Sequence, residues 1–491
     1  MYLIRKLQFN IGMTKTIFFF TVLLSMIYLP TLSYARAKEV QGQVRQVDGR
    51  SVAKVPVTDG YTIVFSDDGG HYRIVTSPLA RFVYITVPAG FEMSAKSNAG
   101  NFYIPLPKEH TAATFNFVLK PTGIDSTHAF VVLGDPQVYN TADVQSCALF
   151  AEDIKSYKDS ALRGIPVHGM VVGDMVGDRP DLFSSVKKSF ALANMSYFFS
   201  KGNHDLRTDQ RSNNTASMLY EENFGPRYYA FNRGSIHYVV LDDVFYLGGS
   251  GEYVGYISEE QFRWLTLDLQ KVPKGSTIVM MLHMPTTGKG FRKIEQRQKV
   301  ANAEHLYTLL KDYKVHILSG HTHLHDHLQA TPHVWEHNQA SISGIFWQEK
   351  NSCADGTPVG YSVYVAKGDT ITWKYKPLGL SDNIQCRAYG IGENTERPDE
   401  LTVLVWNYDD AWRVSWYEDG VYAGEMQQFT GHDPQTRKNI VKNKDKYAYD
   451  WIWTTATDHL FAAKPRNPDA EMMILVEDRF GIKYKTYVQQ K

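Results

Sequence analysis

The stretch AFVVLGDPQ, Ala129 to Gln137, decides the fold: an apolar, β-branched run stops abruptly at Gly134, Asp135 and Gln137. Such a run reads as a strand buried on both faces. The same shape recurs four times downstream. Met170 to Val172 precedes Gly173 and Asp174, Tyr197 to Phe199 precedes Gly202, Asn203 and His204, Ile278 to Leu282 precedes His283, and Val315 to Leu318 precedes Gly320, His321 and His323. In α/β sheets the chemistry gathers beyond the carboxyl ends of the strands, so all five segments are expected to deliver their polar residues to one edge.

Those residues read as an ordered ligand set for two metal ions. Two divalent ions about 3.5 to 4 Å apart clamp the attacking and departing oxygens of a phosphoryl transfer and acidify a bridging water. Asp174 is the candidate bridging carboxylate; Asp135, Gln137 and His323 complete one shell, and Asn203, His283 and His321 the other. A mixture of imidazole, amide and carboxylate suits manganese, iron or zinc better than calcium. Among these ligands Asp135 and Asp174 alone bring negative charge, so the loaded pair stays cationic and calls for an anionic phosphate ester. His204 follows ligand Asn203 directly and cannot easily turn to the same ion. It is read as the acid that protonates the departing alkoxide, with Asp178 or Asp205 accepting its other ring proton. The expected reaction is in-line attack by a metal-bound hydroxide.

Standing here as GDPQ, GDMVGD, GNHD, LHMP and GHTH, these segments resemble the calcineurin-like metallophosphoesterase superfamily. Its motifs read, in order, DxH, GDxxD, GNHD or GNHE, a single His, and GHxH. The resemblance covers Gly134 to His323. It implies a β-sandwich of two mixed sheets flanked by helices, a dinuclear centre, and the roles given above for Asp135, Gln137, Asp174, Asn203, His204, His283, His321 and His323. Two positions depart from the pattern. Gln137 replaces the first motif's His by a neutral amide oxygen, which implies a weaker or different ion at that position; a Gln recurs there in some branches, one of them described as protein serine/threonine phosphatases. The second carboxylate comes one residue late, as Asp178.

The flanks resemble a bacterial subfamily in which this catalytic domain lies between dedicated N- and C-terminal modules. The N-terminal likeness rests on Val57 to Tyr61, Asp68 to Tyr72, and Val87, Pro88, Gly90 and Phe91; the C-terminal one on Ser343, Gly344, Trp347, Asp355 to Pro358, Gly360, Tyr361, Tyr375 and Lys376. A chain of 491 residues suits about three units. Residues 37–121, with short alternating runs and a hairpin turn at Asp67 to Gly70, read as an Ig-like β-sandwich. Residues 125–333 alternate strands with helical patterns at Ala142 to Tyr157, Ser258 to Leu269 and Ala303 to Tyr313, the second opening on a capping box of Ser258 and Gln261. Residues 334–491 return to strands as a β-rich domain.

Composition excludes some partners. Lys plus Arg is 52 and Asp plus Glu is 52, so no basic field argues for nucleic acid or an anionic membrane. Arg5, Lys6 and Lys15, the apolar stretch Ile17 to Leu32 and a small-x-small site ending at Ala35 have the layout of a secretory signal over residues 1–35, with Met13 as an alternative start. The expectation is an exported protein, periplasmic or secreted, without a membrane span once the signal is removed. Cys147, Cys353 and Cys386 do not hold the fold together, although Cys353 and Cys386 are candidates to pair. His325 and His327 read as strand residues at the cleft rim. Trp406, Trp412, Trp416, Trp451 and Trp453 read as core of the closing domain or, alternatively, as a stacking surface for a sugar or base. The competing class is a surface binding protein with a vestigial metal site, which Gln137 favours.

Overall fold

In the computed structural model, which describes residues 38–93, 102–107, 113–123, 125–249, 251–292 and 298–488, two mixed sheets face each other at the centre of the chain. The signal expected over residues 1–35 lies outside these described residues. In the first sheet Thr127–Leu133, Val167–Val171 and Tyr197–Phe199 run parallel, while Gly360–Lys367 and Thr370–Pro377 extend it antiparallel. In the second, Ile236–Val240, Thr277–Met281, Lys314–Ser319 and Val334–Asn338 are parallel, and Tyr229–Arg233 and Asp326–Thr331 close its edges antiparallel.

Parallel neighbours need crossovers, and helices supply them except between Lys314–Ser319 and Val334–Asn338, where strand Asp326–Thr331 makes the connection. Thr141–Ser160, started by the Asn140 side chain accepting from Ala142 and Asp143 N–H, packs with Phe183–Ala191 on the outer face of the first sheet through Val144, Phe150, Ile154 and Phe190. Glu259–Leu269 and Ala303–Leu310 cover the second sheet through Phe262, Leu265 and Leu306. Between the sheets Phe130, Val132, Met170, Tyr238, Val279 and Met281 are fully buried. Each large apolar side chain so placed contributes about 1.5–3 kcal/mol, so this layer fixes the strand ends from which the polar loops emerge.

The N-terminal unit is also two sheets, ordered His71–Val75, Glu39–Gln46, Phe117–Pro121, Phe91–Met93 in one and Ile63–Phe65, Pro56–Thr58, Phe82–Ile85, Tyr103–Pro105 in the other. Its core runs on into the central one, with the Phe102 ring 4.7 Å from Tyr229. At the other end two four-stranded sheets form the closing unit around Val403, Val405, Ile474 and Val476.

Residues 334–377 supply strands Val334–Asn338, Gly360–Lys367 and Thr370–Pro377 to the central sheets. Pairing partners this distant leave no local signature. Several other sequence expectations need correction. The turn at Asp67 to Gly70 is tight, with Gly70 N–H donating to Asp67 O at 2.9 Å, but the strands on either side of it belong to different sheets. Ser258 precedes its helix without a side-chain cap; Gln261 instead holds the backbone of Asp242, accepting from its N–H at 2.8 Å and donating to its carbonyl at 2.6 Å. All three cysteines are free and buried. His325 and His327 are buried, both directed at Asn407 Oδ1, at 3.1 and 2.7 Å, rather than lying at the cleft rim. Trp406, Trp412 and Trp416 are core, whereas Trp451 and Trp453 are exposed. No helix among the described residues is long and apolar enough to cross a membrane.

Candidate metal centre

All five motif segments leave strands at the same edge of the two sheets. Asp135 follows Thr127–Leu133, Asp174 follows Val167–Val171, Asn203 follows Tyr197–Phe199, His283 follows Thr277–Met281, and His321 follows Lys314–Ser319. Turning sharply inward at a strand end forces unusual backbone. Of the eleven described non-glycine residues with positive φ, six are Asp135, Gln137, Asp174, Asp178, His321 and His323. Left-handed backbone at non-glycine residues carries strain and clusters where function over-determines the geometry.

The side chains converge. Ligand-type atoms of Asp174, His283 and His321 lie within 4.8 Å of one another. His283 Nε2 is 3.4 Å from Asp174 Oδ2, 3.0 Å from Asn203 Oδ1 and 3.2 Å from His321 Nδ1. Asp135 Oδ1 accepts from His321 N–H at 2.9 Å and lies 3.8 Å from His323 Nε2. Gln137 is buried beside them, its N–H donating to Asp174 O at 2.7 Å. The ring of His283 is oriented by Val172 O, 2.7 Å from Nδ1, which leaves Nε2 facing the cluster.

Charge in this pocket is arranged to receive cations. Burial pushes the Asp135 carboxyl up, to about 7, even with His283 opposing the shift. Asp174 is held below the usual carboxylate range because His283 and His204 outweigh the cost of its burial. Burial alone would lower His283, but Asp174 and Asp135 raise it to about 10, whereas burial and the neighbouring His283 lower His321 to about 3. Burial likewise lowers His323, to about 4. Neutral His321 and His323 offer lone pairs, as ligands must. Asp135 Oδ2 and Gln137 Oε1 are buried without a hydrogen-bond partner among the described residues. Orphaned buried oxygens are costly, and two acceptors left free in one polar pocket fit a bound cation.

His204 stands apart from this cluster. Its N–H donates to Asp174 Oδ1 at 2.9 Å, and its Nδ1 is 3.0 Å from Asp178 Oδ2, so the ring turns to the solvent side. Burial disfavours its charge, but Asp174 and Asp178 together raise it to about 9, keeping it a proton donor. The late position of Asp178 is absorbed by left-handed backbone at that residue and a bridge between Val138 and Val176. Asp205, the other carboxylate expected to orient His204, does not face it. Both its oxygens accept backbone N–H groups, from Gly202 at 2.9 Å and Val176 at 3.3 Å, so it braces the turn.

Two supporting groups escaped the sequence reading. Asp243 is fully buried and accepts from His283 N–H at 3.0 Å and Met284 N–H at 2.8 Å, fixing the turn that presents His283. Its signal was available, since the mostly apolar run Ile236 to Leu241 ends in the carboxylates Asp242 and Asp243, as the runs before Asp135 and Asp174 end in one. Lys201, buried at Asp242 Oδ1 with a separation of 3.0 Å, anchors the strand end before Gly202.

The motif glycines are steric requirements. A Cβ at Gly202 would overlap the Asp174 backbone and its Oδ1, and one at Gly320 would come within 2.5 Å of Asp135 Oδ2. Gly202→Ala is therefore expected to leave a folded protein that retains less than half of the wild-type metal, measured by elemental analysis after dialysis. Full metal content in the variant would show that the close approach is not needed.

Family models match along the chain: the N-terminal domain of calcineurin-like phosphoesterases over residues 38–122, the calcineurin-like phosphoesterase domain over 128–325, and the C-terminal domain over 336–484. No curated protein matches. Among solved structures, a dimetal phosphatase from Danio rerio is 13% identical, covering 51% of this chain and 96% of that one with a TM-score of 0.37. A purple acid phosphatase from yellow lupin (Lupinus luteus) seeds is 10% identical over 66% of this chain and 67% of its own, TM-score 0.36. A 5'-nucleotidase from Candida albicans is 11% identical over 52% of each chain, TM-score 0.32.

Proposed function

The chain belongs to the calcineurin-like phosphoesterase family and is a phosphoester hydrolase, and from that premise we propose that it works with a dinuclear centre whose bridge is Asp174. Asp135, Gln137 and His323 would hold one ion, and Asn203, His283 and His321 the other. The observation that carries this reading is the pair of buried, unpartnered acceptors, Asp135 Oδ2 and Gln137 Oε1, in the cluster that also holds the neutral imidazoles of His321 and His323. When bound, two divalent cations supply positive charge against the phosphoryl oxygens and a more acidic water.

The chain's own residues do the rest. Val172 O fixes the His283 ring through Nδ1, and Asp243 fixes its backbone. Held 3.0 Å from Asp178, His204 presents its free ring nitrogen toward the open side, where it gives a proton to the departing alkoxide. The backbone strain at Asp135, Asp174 and His321 holds the carboxylates and imidazole in place before substrate arrives.

Gln137 bears on the alternative of a binding protein with a vestigial site. A buried amide oxygen with no other partner is still a ligand, although weaker than an imidazole. Metal analysis together with hydrolysis of p-nitrophenyl phosphate and bis-p-nitrophenyl phosphate tests the reading. The expectation is two ions per chain and metal-dependent turnover of at least one ester. Two ions with no turnover on a broad panel of esters would leave the binding reading standing in its place.

A further inference from the structure

The closing domain sends one loop back over the metal edge, and its two exposed tryptophans flank a buried isoleucine. Ile452 is anchored beside Ile345 and Ile440, while Trp451 is 55% exposed and Tyr449 is 39% exposed. Large aromatic surface left in water on a well-anchored loop is unusual, because burying each such ring is among the larger gains available to a fold. The loop is tied down at both ends. Tyr447 Oη donates to Glu349 Oε2 at 3.2 Å and Ala448 N–H to Gln348 Oε1 at 2.8 Å; further on, Thr455 N–H donates to Ala354 O at 2.8 Å and Ala456 O accepts from Arg292 Nε at 3.0 Å.

The rings form a continuous series running out from the centre. Phe346 lies 4.6 Å from the ring of ligand His323, Trp451 meets Phe346 edge-on at 5.0 Å, and Tyr449 stacks on Trp451 at 5.1 Å and 20°. Phe346 itself is held with φ of 53°, a conformation a bulky residue adopts only when its surroundings impose it. Phe346 further lines a cavity of about 480 Å³ beside His321 and His323, with Thr455 and Ala456 on its far wall.

We propose that Tyr449 and Trp451, backed by Phe346, form a stacking platform for a ring carried by the leaving alcohol, so that the preferred substrates are phosphate esters of ring-bearing alcohols. The inference rests on the phosphoesterase reading above. A platform reached from the His323 side of the centre through Phe346 grips the alcohol part of an ester whose phosphate lies at the metal edge, and rings stack on aromatic faces with little dependence on their substituents. The C-terminal module thereby selects substrate while the central domain supplies the chemistry.

Direct binding separates this proposal from turnover. Dissociation constants of glycerol phosphate, glucose 6-phosphate and adenosine 5'-monophosphate are measured by calorimetry on metal-loaded wild type, Tyr449→Ala/Trp451→Ala and Trp451→Phe. The double variant is expected to weaken at least one ring-bearing ester by about ten- to a hundredfold and leave glycerol phosphate unchanged, and Trp451→Phe is expected to recover most of the loss. Whether the pyranose or the nucleotide responds identifies the ring. Equal weakening of all three esters, or no weakening of any, would overturn the platform. Absence of hydrolysis by the wild type would count against the proposed function instead, since the binding measurement does not depend on it.

Discussion

Asp174→Ala is expected to remove metal binding and turnover together. The carboxylate is buried between the two half-shells, with Oδ2 3.4 Å from His283 Nε2 and Oδ1 accepting from His204 N–H at 2.9 Å. As the proposed bridge it is shared by both ions, so its loss reaches both, whereas loss of Gln137 or His321 reaches one. Changing an outer hydrogen-bond partner of a metal ligand costs about 10- to 100-fold in affinity or activity, and a shared ligand is expected to exceed that. The variant is also expected to fold. Its removal lifts the repulsion that raises Asp135, which offsets part of the cost of holding Ala in the left-handed backbone at this position.

Metal content and thermal unfolding check this together. Wild type is expected to gain stability on metal addition, about 2.7 kcal/mol at a concentration 100 times the dissociation constant, and the variant to show no such gain. A variant that keeps two ions and a metal-dependent rise in Tm would remove Asp174 from the bridging position. Asp174→Asn sharpens the comparison, because the amide oxygen can still accept from His204 N–H while the charge is gone. If charge is what matters, Asn and Ala behave alike.

The central strands and the candidate site were legible for the same reason: each ligand follows its strand within a few residues, so local sequence carries both. Ala129 to Leu133 announces the strand, and Gly134 and Asp135 announce the turn. Pairing and packing between distant segments are not carried by local sequence. Gly360–Lys367 joins the strand Thr127–Leu133 across more than two hundred residues, which no periodicity reports. Adjacency makes Asp205 an alternative to Asp178 as the partner of His204, but its carboxylate is drawn to two backbone N–H groups whose positions only the fold sets. His325 and His327 continue the alternation of His321 and His323 past the edge of the site, where burial against Asn407 replaces chemistry. Trp451 and Trp453 differ from Trp406 and Trp416 only in surroundings, so composition could not separate the exposed pair from the core.

His204→Asn is expected to keep both ions and lose about 10²- to 10⁴-fold in kcat on esters of ordinary alcohols, the contribution typical of a positioned acid. No hydrogen bond joins its ring to a proposed ligand among the described residues: Nδ1 faces Asp178 at 3.0 Å, and the side chain is 29% exposed. The size of the loss should depend on the leaving group. An alkoxide needs its proton as the bond breaks, whereas p-nitrophenolate departs without one, so the variant's defect is expected to shrink sharply on p-nitrophenyl phosphate. Asp178→Asn gives the companion result. The charges of Asp174 and Asp178 hold His204 up to about 9. With cations on Asp174, Asp178 carries the larger part of that support. Removing its charge lowers the His204 pKa, so the fall in kcat at alkaline pH is expected to begin at lower pH than in wild type. A His204→Asn enzyme equally impaired on alkyl and p-nitrophenyl esters would show that the ring steadies the phosphoryl group and does not deliver the proton. An unchanged alkaline limb in Asp178→Asn would separate Asp178 from that acid.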